Sequence, residues 1–388
     1  MTKLAIVTAV GFAAVILLAS QFQAPQATLT PKFFEQNSTL SFASIKSCFG
    51  LEWQDQTACL DEFNSLYGQD KSIKAILGEL EADRHSDKEI ENMCHQITHS
   101  VGRFALLKHG TVGDAFEACD FTCSSGCLHG VVERLFFSGT NSGKQHVGLK
   151  DIQTIVPQLC APTDFKQPTP QIIYQCAHGV GHALLFSLDY NLQDSLAACD
   201  LFDQMRQISC YTGVFMENIT AHDQTKRQLK PSDSHYPCNS VAEKYRDGCY
   251  FMQTSAMQVM GKSPLQIAAE CKNAGNYRLT CFRSLGRDES NNYLIGQTKQ
   301  VVVTCESQSG DDLQSCVSGV ALALIDYQRD ASLSYQFCNQ LRSPDMCYRV
   351  VNEYLLYSFG KTKLEITQYC NEFGITGKEI CLANVARL

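Results

Sequence analysis

Cysteines punctuate this chain in pairs, and the pairs recur at a near-constant interval. Cys48 with Cys59, Cys119 with Cys127, Cys160 with Cys176, Cys199 with Cys210 and Cys238 with Cys249 are followed by Cys271 with Cys281, Cys305 with Cys316, Cys338 with Cys347 and Cys370 with Cys381. Most partners stand nine to eleven residues apart. From Cys176 onward the second members follow one another at 34, 39, 32, 35, 31 and 34 residues, a period typical of helical-hairpin repeats. Twenty cysteines in 388 residues, even in number and regular in place, read as a disulfide framework made in an oxidising compartment. Each bridge would close a short loop and stabilise its unit by about 2–3 kcal/mol on a chain-entropy argument. Cys94 and Cys123 fall outside the pairing. Because Cys119 to Cys127 fits the repeat, alignment joins Cys94 to Cys123, although four cysteines by themselves allow three connectivities.

The residues around the cysteines repeat as well. Gly113-Asp-Ala-Phe-Glu-Ala-Cys119-Asp matches Gln193-Asp-Ser-Leu-Ala-Ala-Cys199-Asp, and Ser263-Pro-Leu-Gln-Ile-Ala-Ala-Glu-Cys271 is a near copy. Asp114, Asp194 and Ser263 are expected as N-caps, with Pro264 at the first helical position. Ser86 to Glu89 reads as a capping box for the helix that carries Cys94. Each unit is therefore a helix, a stapled loop and a longer apolar-periodic helix, which often ends near a glycine such as Gly110, Gly139 or Gly261. Such a unit cannot bury its apolar stripe alone and must stack on its neighbours. The expected fold is all-α: a disulfide-stapled helical-hairpin array, either an α-solenoid or a closed α/α toroid. On period and hairpin shape it resembles tetratricopeptide-like repeats, but their Trp, Gly, Tyr and Pro signature is missing, and Trp53 is the sole tryptophan.

Export should be legible at the N-terminus. After Met1-Thr2-Lys3, residues 4–19 are apolar but for Thr8, so 1–20 is a signal peptide or a signal anchor, and membrane attachment through 4–20 is one of the two outcomes. Residues 21–43 read as a linker, 44–220 as N-terminal repeats and 221–388 as C-terminal repeats continuous with them. The protein is expected to be extracytoplasmic: periplasmic, secreted or anchored. Net charge of -8 and a pI near 5.7, with no long run of Lys or Arg, argue against a nucleic-acid partner. Asn37 and Asn218 stand in N-glycosylation tripeptides, which are frequent by chance.

Three successive segments set two potential metal ligands four residues apart beside a cysteine: Cys94-His95-x3-His99, Cys127-x-His129-x3-Glu133 and Cys176-x-His178-x3-His182. On a helix, residues i and i+4 share a face, so each pair is a candidate clamp. At the matching offsets the later units carry Thr212 and Met216, Phe251 and Ser255, Arg283 and Arg287, Ser318 and Leu322, and Arg349 and Glu353. None of these is a ligand pair, so the cysteine frame is scaffold and the clamps are the candidate chemistry. Counted from Cys94, the first pair slips by one residue, which makes His95 the least secure ligand. Glu217 could add a carboxylate. Gly130, Gly179, Gly213 and Gly319 point to close helix packing, whereas Gly181, between two histidines, would leave room for metal or substrate. Arg103 and Asp120 are nearby polar candidates.

Cys123-Ser-Ser-Gly-Cys127-Leu-His129 departs from a haem-attachment motif, because one residue separates the cysteine from the histidine. The sequence has no Gly-rich phosphate loop, nucleophile elbow or zincin motif. By analogy the clamps resemble helical-repeat di-metal hydroxylases, but the adjacent His-Glu dyads of those enzymes are missing and no catalytic residue carries over. The expectation is a metalloprotein in which His95, His99, His129, Glu133, His178, His182 and Glu217 supply ligands for a transition metal (Zn, Fe or Cu). It would bind one or two ions and activate water or dioxygen if it is an enzyme. The alternative is a structural or protein-binding solenoid that recruits a partner on its concave face.

Overall fold

The cysteine spacing translates directly into alternating short and long helices. The computed structural model describes residues 32–35, 40–84, 86–136, 149–221, 223–328, 330–372 and 375–388. Its helices begin with α1 (Trp53–Tyr67), α2 (Ile73–Arg84), α3 (Lys88–His109), α4 (Val112–Ala118), α5 (Thr122–Phe136) and α6 (Leu149–Ile155). They continue with α7 (Pro170–Ser187), α8 (Leu192–Cys199), α9 (Gln204–Thr220), α10 (Glu243–Val259), α11 (Pro264–Cys271) and α12 (Arg278–Leu294). The last are α13 (Thr298–Glu306), α14 (Gly310–Gln328), α15 (Ser332–Asn339), α16 (Asp345–Tyr357), α17 (Lys363–Glu372) and α18 (Ile375–Arg387). Among the described residues there is no strand, only an isolated bridge between Lys230 and Asp233.

A typical unit places its first cysteine at the end of a short helix and its second inside a long one. Cys199 of α8 is bonded to Cys210 of α9, Cys271 of α11 to Cys281 of α12, and Cys305 of α13 to Cys316 of α14. All nine repeat pairs are formed, and Cys94 is bonded to Cys123, which ties α3 to the start of α5. No cysteine is free. Ten intramolecular disulfides point to an oxidising, extracytoplasmic environment. The expected signal segment lies outside the described residues, as do Asn37 and Gly139. Among the described residues no helix is long and apolar enough to cross a membrane.

Several caps lie elsewhere than the sequence suggests. Thr111 and Asn191 cap α4 and α8, accepting from the backbone N–H of Asp114 and Asp194 at 3.2 Å. The two aspartates therefore sit in the first turn, where a carboxylate suits the helix dipole. Likewise Asp87, not Ser86, caps α3. Ser263 does cap α11, with Gln266 completing the box and Pro264 at N1. Part of the expected linker is docked. Glu62, buried on α1, accepts backbone N–H groups of Lys32, Phe33 and Phe34 at 2.7, 2.9 and 2.7 Å, a contact that composition does not reveal. Asn218 is buried, with its amide bonded to the backbone of Gln228, so it does not present a glycan site.

The long helices pack on their neighbours in chain order: α3 on α5, α5 on α7, α7 on α9, α9 on α10, α10 on α12 and α12 on α14. The row then returns, because α14 packs on α5. Gln171, at the start of α7, donates to Asp326 of α14 at 2.9 Å, and Tyr354 of α16 donates to the same carboxylate oxygen at 2.8 Å. Helices α5, α7, α9, α10, α12 and α14 thus complete a circuit, the closed form of the array. The buried apolar residues form one cluster reaching from Phe42 to Leu285 and a second from Tyr293 to Val385.

Candidate metal centre

Glycine determines how closely the helices of the site approach. Where α3 crosses α5, a β-carbon on Gly130 would lie 1.9 Å from the His99 carbonyl oxygen, and one on Gly102 would lie 1.9 Å from that of Cys127. The same crossing recurs where Gly181 of α7 meets Gly213 of α9, and where Gly286 of α12 meets Gly319 of α14. Gly181 therefore admits the backbone of α9, at Cys210 and Gly213, rather than a ligand.

These crossings set a register that the cysteines obscure. Three residues before the first glycine stand His99, His178 and Arg283; one residue after it stand Arg103, His182 and Arg287. On the second helix, His129, Thr212 and Ser318 precede the glycine, and Glu133, Met216 and Leu322 follow three residues later. The His95/His99 pair is thus one helical turn earlier than His178/His182, not displaced by a single residue. Cys94 misleads because it belongs to the cross-link with Cys123 and is not a repeat staple. One turn of displacement preserves the helix face, so His95 joins the cluster.

Five imidazoles meet. Nε2 of His95 lies 3.0 Å from Nε2 of His99, and Nε2 of His178 lies 3.2 Å from Nε2 of His182. His129 sits between the pairs, its ring centroid 5.7 and 5.5 Å from those of His95 and His99 and 5.3 and 5.0 Å from those of His178 and His182. The ligand atoms of His95, His99 and His129 all lie within 4.8 Å of one another, so this triad could hold a metal ion.

The outer nitrogens are each anchored by an acceptor, which fixes the tautomers. His95 Nδ1–H donates to the Cys123 carbonyl at 2.7 Å, and His99 Nδ1–H to Glu133 at 2.6 Å. His182 Nδ1–H donates to Glu217 at 3.0 Å. His178 Nδ1 lies 2.8 Å from the Thr212 hydroxyl, whose own proton goes to the Ser209 carbonyl at 2.7 Å, so here too the imidazole donates. In the neutral form of each ring Nε2 is then the lone-pair nitrogen, and within each pair the two Nε2 atoms are opposed. His129 donates through Nε2 to Gln175 at 3.3 Å, and its buried Nδ1 has no hydrogen-bond partner.

Burial, reinforced by neighbouring His99, pushes His95 down to about 3. Burial and the adjoining histidines hold His129 well below its ordinary value, and burial, His182 and Arg287 do the same to His178. These imidazoles are neutral at pH 7 and available as ligands.

Glu133 and Glu217 stand behind the histidines rather than among their Nε2 atoms. Glu133 accepts from His99 through one oxygen and from Arg103 through the other at 2.7 Å. Burial alone would raise its carboxyl, but His99 and Arg103 hold it at about 2. Arg103 is completed by Asp61 at 2.7 Å. Glu217 accepts from His182 and, at 2.9 Å, from the Tyr190 hydroxyl. Asp120 instead accepts from the backbone of Thr122 at the start of α5. Thr212, Gln175, Tyr190 and Met216 carry no signal in the sequence, since each becomes visible only once the rotation of a neighbouring helix is known. No known protein family, curated protein or solved structure matches this chain.

Proposed function

We propose that this is an extracytoplasmic metalloprotein whose five histidines bind transition metal in two adjoining chelates. His95 and His99 form one, His178 and His182 the other, and His129 stands between them. The reading is supported by Nε2 atoms that converge in pairs while their Nδ1 sides are anchored outward, together with the orphaned Nδ1 of His129. Nitrogens 3.0 and 3.2 Å apart, each at a usual metal–imidazole distance from a shared ion, subtend roughly 95 to 100°, an ordinary chelate angle. Imidazole-rich sites suit zinc, iron or copper.

The protein's own residues determine what such a centre can do. Glu133 and Glu217 orient their histidines and make them more basic, as outer carboxylates do at metal sites. Arg103 and Asp61 hold Glu133 in place, and His129, His178 and His182 are buried. When bound, the metal would supply a Lewis acid for water or, with iron or copper, a centre for dioxygen.

The test is cobalt(II) titration of chelator-treated protein, followed by visible absorption. Binding with the intensity of a nitrogen-ligated site is expected. Glu133→Gln should retain the spectrum while weakening affinity about 10- to 100-fold, and His129→Ala should change the spectrum itself. Folded wild-type protein that gives no cobalt spectrum would end this reading.

A further inference from the structure

The two chelates differ in the atom that stands before them. On α9 the position matching Glu133 of α5 is Met216, and its Sδ lies 3.4 Å from His178 Nε2. His182 Nε2 lies 3.2 Å from that same nitrogen. With the His178 proton on Nδ1, toward Thr212, there is no N–H at Nε2 to donate to sulfur. The thioether and the imidazole lone pair thus face each other with no hydrogen between them. The carboxylate that Glu133 provides behind His99 is supplied on α9 by Glu217, one residue further along, behind His182. An outer carboxylate is therefore kept in both halves, while a soft donor is placed at the front of one.

We propose that His178, His182 and Met216 form a separate subsite selective for copper(I). Thioether and imidazole donors together favour this ion over zinc, whose sites use nitrogen, oxygen and thiolate donors. The histidines are 4% and 3% exposed and Met216 is partly buried, so the two imidazoles are shielded from bulk water. At the first half the position matching Met216 is a carboxylate, Glu133, and the neighbouring cysteines are bonded in disulfides. The two subsites consequently differ in metal preference within one cluster. This inference rests on the reading of the histidines as metal ligands.

Anaerobic titration of the full chain with copper(I) against a chromophoric chelator tests it, with X-ray absorption at the copper edge as the second measurement. One copper with a sulfur scatterer is expected at one equivalent. Met216→Leu preserves volume and apolar character; it should lose the sulfur scatterer and about tenfold or more in copper(I) affinity, with unchanged circular dichroism. Met216→His should restore tight binding with nitrogen scatterers only. Copper bound equally well by Met216→Leu, with no sulfur scatterer in wild type, would overturn the subsite while leaving the histidine centre standing. Wild type that binds cobalt(II) but not copper(I) would overturn the subsite alone, and wild type that binds neither would overturn both.

Discussion

At the scale of single residues, the glycines at the helix crossings matter as much as the histidines. Gly130 lets α3 approach α5 until a carbonyl occupies the space of the missing side chain, and only that approach brings His99 within reach of Glu133 and His129. Gly130→Ala must push two helix backbones apart and should cost about 3 kcal/mol or more, near the upper range for overpacking. Gly78, exposed within α2, is the contrasting case, because a methyl group added there would meet nothing within 4 Å. Gly78→Ala should stabilise by about 0.5–1 kcal/mol through helix propensity and reduced unfolded-state freedom. Guanidinium midpoints under non-reducing conditions distinguish the two; an Ala at position 130 that leaves the midpoint unchanged would refute the close-packing account. The histidines themselves were legible in the sequence from their i, i+4 spacing. Glu133 and Glu217 were legible as candidate ligands but not as anchors behind the imidazoles, and Thr212 was not legible as a partner at all, because it meets α7 only through the rotation of α9.

At the scale of elements, the stapled hairpin was readable because a disulfide fixes two positions at once. The short loop between Cys305 and Cys316 leaves little choice but a helix ending at one cysteine and another passing the second. The relative register of hairpins was less readable. Cys94, which the sequence already joins to Cys123 and the structure finds bonded to it, is a false origin for counting ligand offsets, and the true frame is carried by Gly102, Gly181 and Gly286. Non-reducing peptide mapping should recover Cys199 with Cys210, Cys238 with Cys249, and Cys94 with Cys123. Removing the last bridge by paired Cys94→Ala and Cys123→Ala should lower stability by about 2–4 kcal/mol and loosen the carbonyl that anchors His95. Peptides joining distant repeats would contradict the hairpin architecture.

At the scale of the molecule, the array returns on itself so that the start of α7 meets the end of α14. Residues so far apart in sequence are coupled only in a closed arrangement, and the hydrogen bond from Gln171 to Asp326 reports on it. A double-mutant cycle of Gln171→Ala and Asp326→Ala should give a coupling of about 1 kcal/mol, whereas additivity would indicate an open array. Period and hairpin length could not decide between open and closed forms, because curvature accumulates from small rotations at every interface. The central claim concerns what this closed array positions: a metal centre shared by α3, α5 and α7. The most direct measurement is elemental analysis of protein purified from its native host, comparing wild type with two paired variants. His178→Ala with His182→Ala should lose most of the bound metal, while Ser318→Ala with Leu322→Ala, at the equivalent offsets of a unit without histidines, should keep it. Equal metal content in all three proteins, or none in the wild type, would contradict the account.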